Sequence, residues 1–196
     1  MSFNLDQFRS KLKDGGARPT LFEMELRWPS TIRAGNDAAQ ASRFMVKVAE
    51  IPASTVAAIT VGYFGRKLNV VGDRSYAPLT VTVINDEDFI IRRATEEWID
   101  RMSGASSAVS QYRGGSAEGG YTSKLSVTQF GRQGERLRTY DFIGAFPTEV
   151  SSIALGWDST DTIEDYTIGF AYQWWEVAGE LPTREAPVVN VDVNVG

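Results

Sequence analysis

The chain of 196 residues has no cysteine and no histidine. The missing cysteine rules out a disulfide framework, and the two absences together rule out a Cys/His zinc site. Ser-His-Asp and Cys-His catalytic arrangements are excluded, and so is the commonest general base near neutral pH. Positive charge is also short. Against 25 Asp and Glu there are 20 Lys and Arg, a formal charge of −5. Tight nucleic-acid binding depends on cations neutralising phosphates, so it is not expected as the main task. No apolar run approaches the roughly 20 residues that span a bilayer, and the first residues lack a signal-peptide core, so neither a membrane span nor a leader is expected.

Carboxylate, lysine and tyrosine chemistry survives these exclusions, but no constellation points to it. There is no GxxxxGK[ST] phosphate loop and no GxGxxG turn. Ser10 and Lys13 have S-x-x-K spacing without its companion motifs. The acidic clusters Asp86-Glu87-Asp88 and 158–165 lack EF-hand spacing, and helix capping accounts for the first. No enzyme, catalytic residue, cofactor or metal site is therefore expected.

What remains is ordinary globular composition, 42% hydrophobic and 23% charged, in a chain long enough for one domain with a real core. Asn4 and Gln7 have capping-box spacing ahead of Leu5, Phe8 and Leu12, which share one helical face; Gly15-Gly16 stops that helix. It is either a packed helix or an arm that docks on a neighbour. Residues 20–28 alternate as a strand, with Phe22, Met24, Leu26 and Trp28 on one face and Glu23, Glu25 and Arg27 on the other. Residues 30–41 read as a loop and 43–51 as a strand with Phe44, Val46 and Val48 on one side. Residues 103–120 read as a flexible loop. Strands are expected at 122–130, 136–146, 150–155 and 166–177, with Gly131-Arg132-Gln133-Gly134 turning a hairpin. In the last of them Tyr166, Ile168, Phe170, Tyr172 and Trp174 share a face. Beyond Pro182 and Pro187, residues 188–195 alternate β-branched and polar side chains, a strand in need of a sheet edge.

Residues 58–98 are the most informative. Runs at 59–64 and 68–71 flank Gly65-Arg66-Lys67 as a hairpin, and Gly72-Asp73 reads as a turn. Leu79–Ile84 is a branched strand. Behind the cap candidates 85–88, a helix from about Asp88 to Met102 buries Ile91, Ala94, Trp98 and Met102 on one side. Arg93–Glu97 and Glu97–Arg101 are candidate i,i+4 pairs. Strand-rich composition with one amphipathic helix gives a mainly β class, a β-barrel or sandwich-like domain carrying one packed α-helix.

The phrases GYFGRKLNVVGDR, LTVTVINDEDF and EEWI resemble the tail tube proteins of contractile-tailed bacteriophages. So do Ala49–Val56, Ala145–Val150, Asp161–Tyr166 and Gly169–Trp175, in unbroken order from about Thr20 to Val177. A glycine-rich stretch at 112–120 and a tail at 180–196 depart from the pattern. The resemblance implies one tube domain over 1–196, with an N-terminal arm of about 1–19 and a C-terminal tail of about 179–196. It further implies homohexameric rings, strands shared into a multi-subunit barrel, and rings stacked into a virion tail tube assembled in the host cytoplasm. Expected partners are the sheath protein, the baseplate and tail terminator proteins, and DNA passing through without specific binding.

On that footing the hairpin residues Tyr63, Phe64, Arg66, Lys67, Asp73 and Arg74 are candidates for a ring-to-ring contact. Glu23 and Glu25 are candidates for the lumen. The exposed helix residues Arg92, Arg93, Glu96, Glu97 and Asp100 are candidates for facing the sheath. Other readings are a tube protein of a contractile injection system or bacteriocin, a tube initiator at a baseplate, or a monomeric β-barrel that binds a small ligand.

Overall fold

The computed structural model describes residues 5–12, 16–104 and 120–179. In chain order they form α1 (Leu5–Lys11), β1 (Phe22–Glu25), α2 (Gly35–Met45), β2 (Val46–Ala49), β3 (Ser54–Tyr63), β4 (Arg66–Tyr76), β5 (Leu79–Ile84), α3 (Ile90–Ser103), β6 (Ser123–Phe130), β7 (Arg136–Val150), β8 (Asp165–Ala171) and β9 (Trp174–Val177).

The body is one sheet path, β1-β6-β7-β8-β5-β2, with β9 added to β7. Its hinge is β7. The first part pairs β6 (Leu125 opposite Phe142) and β9 (Phe142 opposite Trp175), whereas the last part pairs β8 (Phe146 opposite Ala171). The change of partner falls at Gly144, whose φ of 66° only glycine adopts freely. A Cβ there would also lie 2.8 Å from Gln173 Cγ. Two half-sheets thus close on one core of Met24, Leu26, Leu79, Val81, Val83, Leu125, Val127, Phe142, Ile168 and Phe170. The alternating strands supply it: Leu79, Val81 and Val83 are each fully buried, with the intervening threonines turned outward.

Helix α3 covers this core with Ile91, Ala94, Thr95 and Trp98. The Trp98 indole N–H donates to the Tyr121 carbonyl at 2.7 Å. Asp86 assists the start of α3 by accepting from the Ile90 N–H at 3.3 Å. Helix α2 links the two ends of the sheet path. Beyond the end of β1, the Leu26 N–H donates to Ser42 Oγ at 3.0 Å, so a helix side chain takes the place of a missing strand.

Several expectations need correction. Residues 35–45 are helix rather than loop and strand; small residues at Ala38 and Ser42, both fully buried, let α2 approach the sheet closely. Phe44 therefore lies on a helix and points to solvent, away from Val46. The strand expected at 20–28 shortens to Phe22–Glu25, although its buried alternation continues through Leu26 and Trp28. Residues 136–150 form a single strand, and 151–155 are not strand. The strand expected at 166–177 breaks at Tyr172-Gln173, where its partner β7 bends. Gly72-Asp73 is not a turn but a bulge inside β4, where the register slips between Val56 and Ala58. Three helices occur among the described residues; α1 and α3 fall where helices were expected, and α2 is the addition to the one packed helix of the expected fold. The cap at Asn4, most of the loop at 103–120 and the tail beyond 179 lie outside the described residues.

Candidate assembly surfaces

Strands β3 and β4 form their own two-stranded sheet, separate from the body. Almost every residue of the pair is exposed. Cross-strand register sorts the side chains into faces. Ile59, Val61 and Tyr63 oppose Val70, Leu68 and Arg66 on one face; Thr60 and Gly62 oppose Asn69 and Lys67 on the other. The first face is apolar and has no cover in the described chain. The second is polar, with Thr60 Oγ1 donating to Asn69 Oδ1 at 2.8 Å. An isolated two-stranded hairpin is marginal in water, so this one is poised to gain from a third surface.

The connection is the two-residue turn Phe64-Gly65, with φ of 45° and 79°. Glycine suits such a turn, but phenylalanine in the left-handed region is strained by about 1–2 kcal/mol. Phe64 is 91% exposed, so among the described residues no burial in a core offsets that strain. Its ring meets Tyr63 edge-on at 4.6 Å. Arg66 and Lys67, expected in the connection, are the first residues of β4 and point to opposite faces. Asp73 and Arg74 lie near the root of the hairpin, about 25 Å from the tip at roughly 3.3 Å per residue. The six candidates therefore form a tip group and a root group. At the root, Tyr172 donates to the Ala77 carbonyl at 2.7 Å, and Tyr76 meets the rings of Tyr172 and Trp175 at 6.0 and 6.4 Å. Burial pushes the Tyr172 hydroxyl up to about 12, so it stays a donor at any ordinary pH.

Glu23 and Glu25 lie on the outer face of the β1-β6-β7-β9 half-sheet, but they are not bare. Arg43 reaches both, at 3.5 and 3.2 Å, and Arg27 pairs with Glu25 at 2.9 Å. The Arg27 hydrogen bond, with Arg43 assisting, holds the Glu25 carboxyl below its ordinary value. The same face carries Asp141, paired with Lys124 at 2.7 Å and accepting from Ser126 at 2.8 Å. Thr128 and Thr139 share a hydrogen bond beside it. Glu176 on β9 opposes Asp141. Four acids and three cations leave −1 on a hydroxyl-rich surface whose members come from five separated segments, so only Glu23, Glu25 and Arg27 were readable in sequence.

On α3, the ion pairs are Arg92–Glu96 at 2.8 Å and Arg101–Glu97 at 2.7 Å. The expected Glu97–Arg101 pair forms, and Glu97 is turned to Arg101 rather than to Arg93. Arg92 faces inward: it donates to the Ser151 carbonyl at 3.2 Å and lies 5.1 Å over the Tyr166 ring. Arg93, Glu96 and Asp100 form the outward face, with Glu97 half-buried.

No assembly role was expected for the loop 151–164, of which only the acidic cluster and a strand at 150–155 were read. It holds Leu155, Trp157 and Ile163 in solvent, with Trp157 wholly exposed. Its Gly-Trp-Asp step between strands was the available signal. Among the described residues, no cluster of three or more acids could hold a metal, and no helix is long and apolar enough to cross a membrane.

A body filled by its own side chains, bearing a long amphipathic hairpin with no partner, has the form of a subunit built for assembly. The chain belongs to the phage tail tube protein family, whose model matches residues 17–178. It is 30% identical over 161 residues to the tail tube protein gp19 of Enterobacteria phage T4, covering 82% of this chain and 91% of that one. The phage T6 protein of the same name matches to the same extent. In fold it is similar to a chain of the anti-feeding prophage tube-terminating cap (TM-score 0.58, 14% identity, 82% of this chain and 89% of that chain). It is likewise similar to a chain of the sheath–tube complex of an extracellular contractile injection system in the extended state (TM-score 0.53, 13% identity, 90% of this chain and 98% of that chain). The chain is thus a structural subunit of a contractile tail tube, a component of the virion tail.

Proposed function

We propose that the subunits form homohexameric rings, that the rings stack head to tail, and that genomic DNA leaves through the lumen. The observation that carries this reading is the β3–β4 hairpin, whose apolar face and strained Phe64 tip have no counterpart among the described residues. Heterologous contacts of this kind do not close on themselves and so build filaments. The tip group Tyr63, Phe64, Arg66 and Lys67 makes the ring-to-ring contact. The root group Asp73 and Arg74 sits where the hairpin leaves its own ring.

The face bearing Glu23 and Glu25 lines the lumen. Its cations are paired and its net charge is slightly negative, so phosphates passing within about 8–10 Å are not captured. The outer face of α3, Arg93, Glu96, Glu97 and Asp100 without Arg92, meets the sheath. Terminator and baseplate proteins close the two ends, and assembly takes place in the host cytoplasm. The protein works by assembly and carries out no catalysis. The domain is a single unit over 1–196 with terminal extensions at about 1–19 and 179–196.

The 30% identity to two phage tail tube proteins supports a phage tail over an injection system, a bacteriocin or a tube initiator. The filled interior argues against a ligand-binding barrel, which keeps a cavity inside. Negative-stain imaging and sedimentation of the purified protein test the reading: six-fold rings or tubes are expected, and a discrete monomer at high concentration would contradict it.

A further inference from the structure

The hairpin and the 151–164 loop lie at opposite ends of the body. Strand β5 starts beside the hairpin root, where the Ala77 N–H donates to the Ala53 carbonyl, and runs to Asn85, whose N–H donates to the Glu164 carbonyl. Strand β8 returns antiparallel from Asp165 opposite Ile84 to Phe170 opposite Leu79. One end therefore projects a hairpin and the other presents Leu155, Trp157 and Ile163 to solvent. The charges of the two ends are complementary. The hairpin carries Arg66, Lys67 and Arg74 against Asp73, a net +2, while the loop carries Asp158, Asp161 and Glu164 and no cation, a net −3.

We infer that the loop 151–164 is the receptor for the hairpin tip of a second copy of this chain in the adjoining ring. The inference rests on the stacked-ring reading and names its docking surface. Reach agrees: ten residues of β3 extend about 30 Å at roughly 3.3 Å per residue, so a surface facing the root end of the ring below lies within the hairpin's span. Tyr63 and Phe64 supply aromatic anchors, Trp157 supplies the matching one, and the cations at the tip meet the acids around it.

The absence of native cysteine makes the test clean. Lys67→Cys and Asp158→Cys are combined in the full chain, assembled tubes are separated from free protein, and both fractions are oxidised. A covalent ladder confined to the tubes is expected, absent from each single variant and from a Lys67→Cys with Gln133→Cys control. Tubes that form normally without a ladder, or with an equal ladder in the control, overturn the pairing and leave the stacked rings standing. Wild-type protein that never forms rings or tubes overturns the stacking itself. Should the cysteine pair not assemble, Trp157→Ala decides: about a tenfold rise in the concentration needed for tube growth is expected, with unchanged melting, and unchanged growth overturns the proposal.

Discussion

The body and the β3–β4 hairpin are both antiparallel β-structure, yet they spend their apolar residues in opposite ways. In the body, Leu79, Val81 and Val83 are fully buried on one face of β5, and Trp98, Phe142 and Phe170 complete the same core. In the hairpin, Ile59, Val61, Leu68 and Val70 line one face just as regularly, and that face stays exposed, with no cover among the described residues. Identical alternation is thus used once for folding and once for joining subunits. The body satisfies its own chemistry; the hairpin is complete only in company.

That contrast is open to breakage at several points. Trp98→Ala removes the largest buried side chain of the body and its bond to Tyr121. It is expected to cost about 3–5 kcal/mol, read by denaturant unfolding, with rings lost because the subunit is lost. Gly144→Val forces a β-branched residue into the left-handed region beside Gln173. About 2 kcal/mol or more is expected from the strain and the contact together, again in unfolding.

Phe64→Asn divides the two regions more sharply. Asparagine tolerates the left-handed turn, so melting should hold or rise by up to about 1 kcal/mol equivalent, while tube growth weakens because the exposed anchor is gone. Equal growth by turbidity and imaging would place the interface elsewhere. Tyr172→Phe should cost about 1 kcal/mol through the lost bond to Ala77, and it loosens the hairpin at its root, visible as faster amide exchange along β3 and β4.

The smallest effect is a pH effect at the acidic face. The Glu25 carboxyl is held low by Arg27 and Arg43. Its stabilising contribution is therefore present above its unfolded pKa and is lost as pH falls through the lower folded one. Because Arg27 and Arg43 are about half exposed and the pairs are screened by solvent, Glu25→Gln should flatten the acid limb of the stability curve by no more than a few tenths, about 0.3–0.5 kcal/mol.

Strong periodicity made β5 and α3 legible in the sequence, since Leu79-Val81-Val83 and Ile91-Ala94-Trp98 each leave a single interpretation. The stretch that became α2 was polar and rich in small residues; its helical state comes from tertiary fit, Ala38 and Ser42 nestling against the sheet, which local pattern does not encode. Strand β7 was expected to end at Phe146, since Pro147 usually interrupts a strand, yet it runs on to Val150; Gly144, inside the expected strand, bends it between half-sheets. The hairpin was legible but its register was not. A connection at Gly65-Arg66-Lys67 gave way to Phe64-Gly65, and that shift separated Arg66 from Lys67 onto opposite faces. Trp157 carries no periodic pattern at all, so only the structure shows it standing free at the end of the body opposite the hairpin.

The central claim, that the hairpin joins subunits and does not hold the subunit together, is tested most directly by Arg66→Glu with Lys67→Glu. Side by side with the wild-type protein, the double variant is followed by thermal melting and by negative-stain imaging. Melting unchanged and tubes absent is the expected result; normal tubes from the double variant would contradict it.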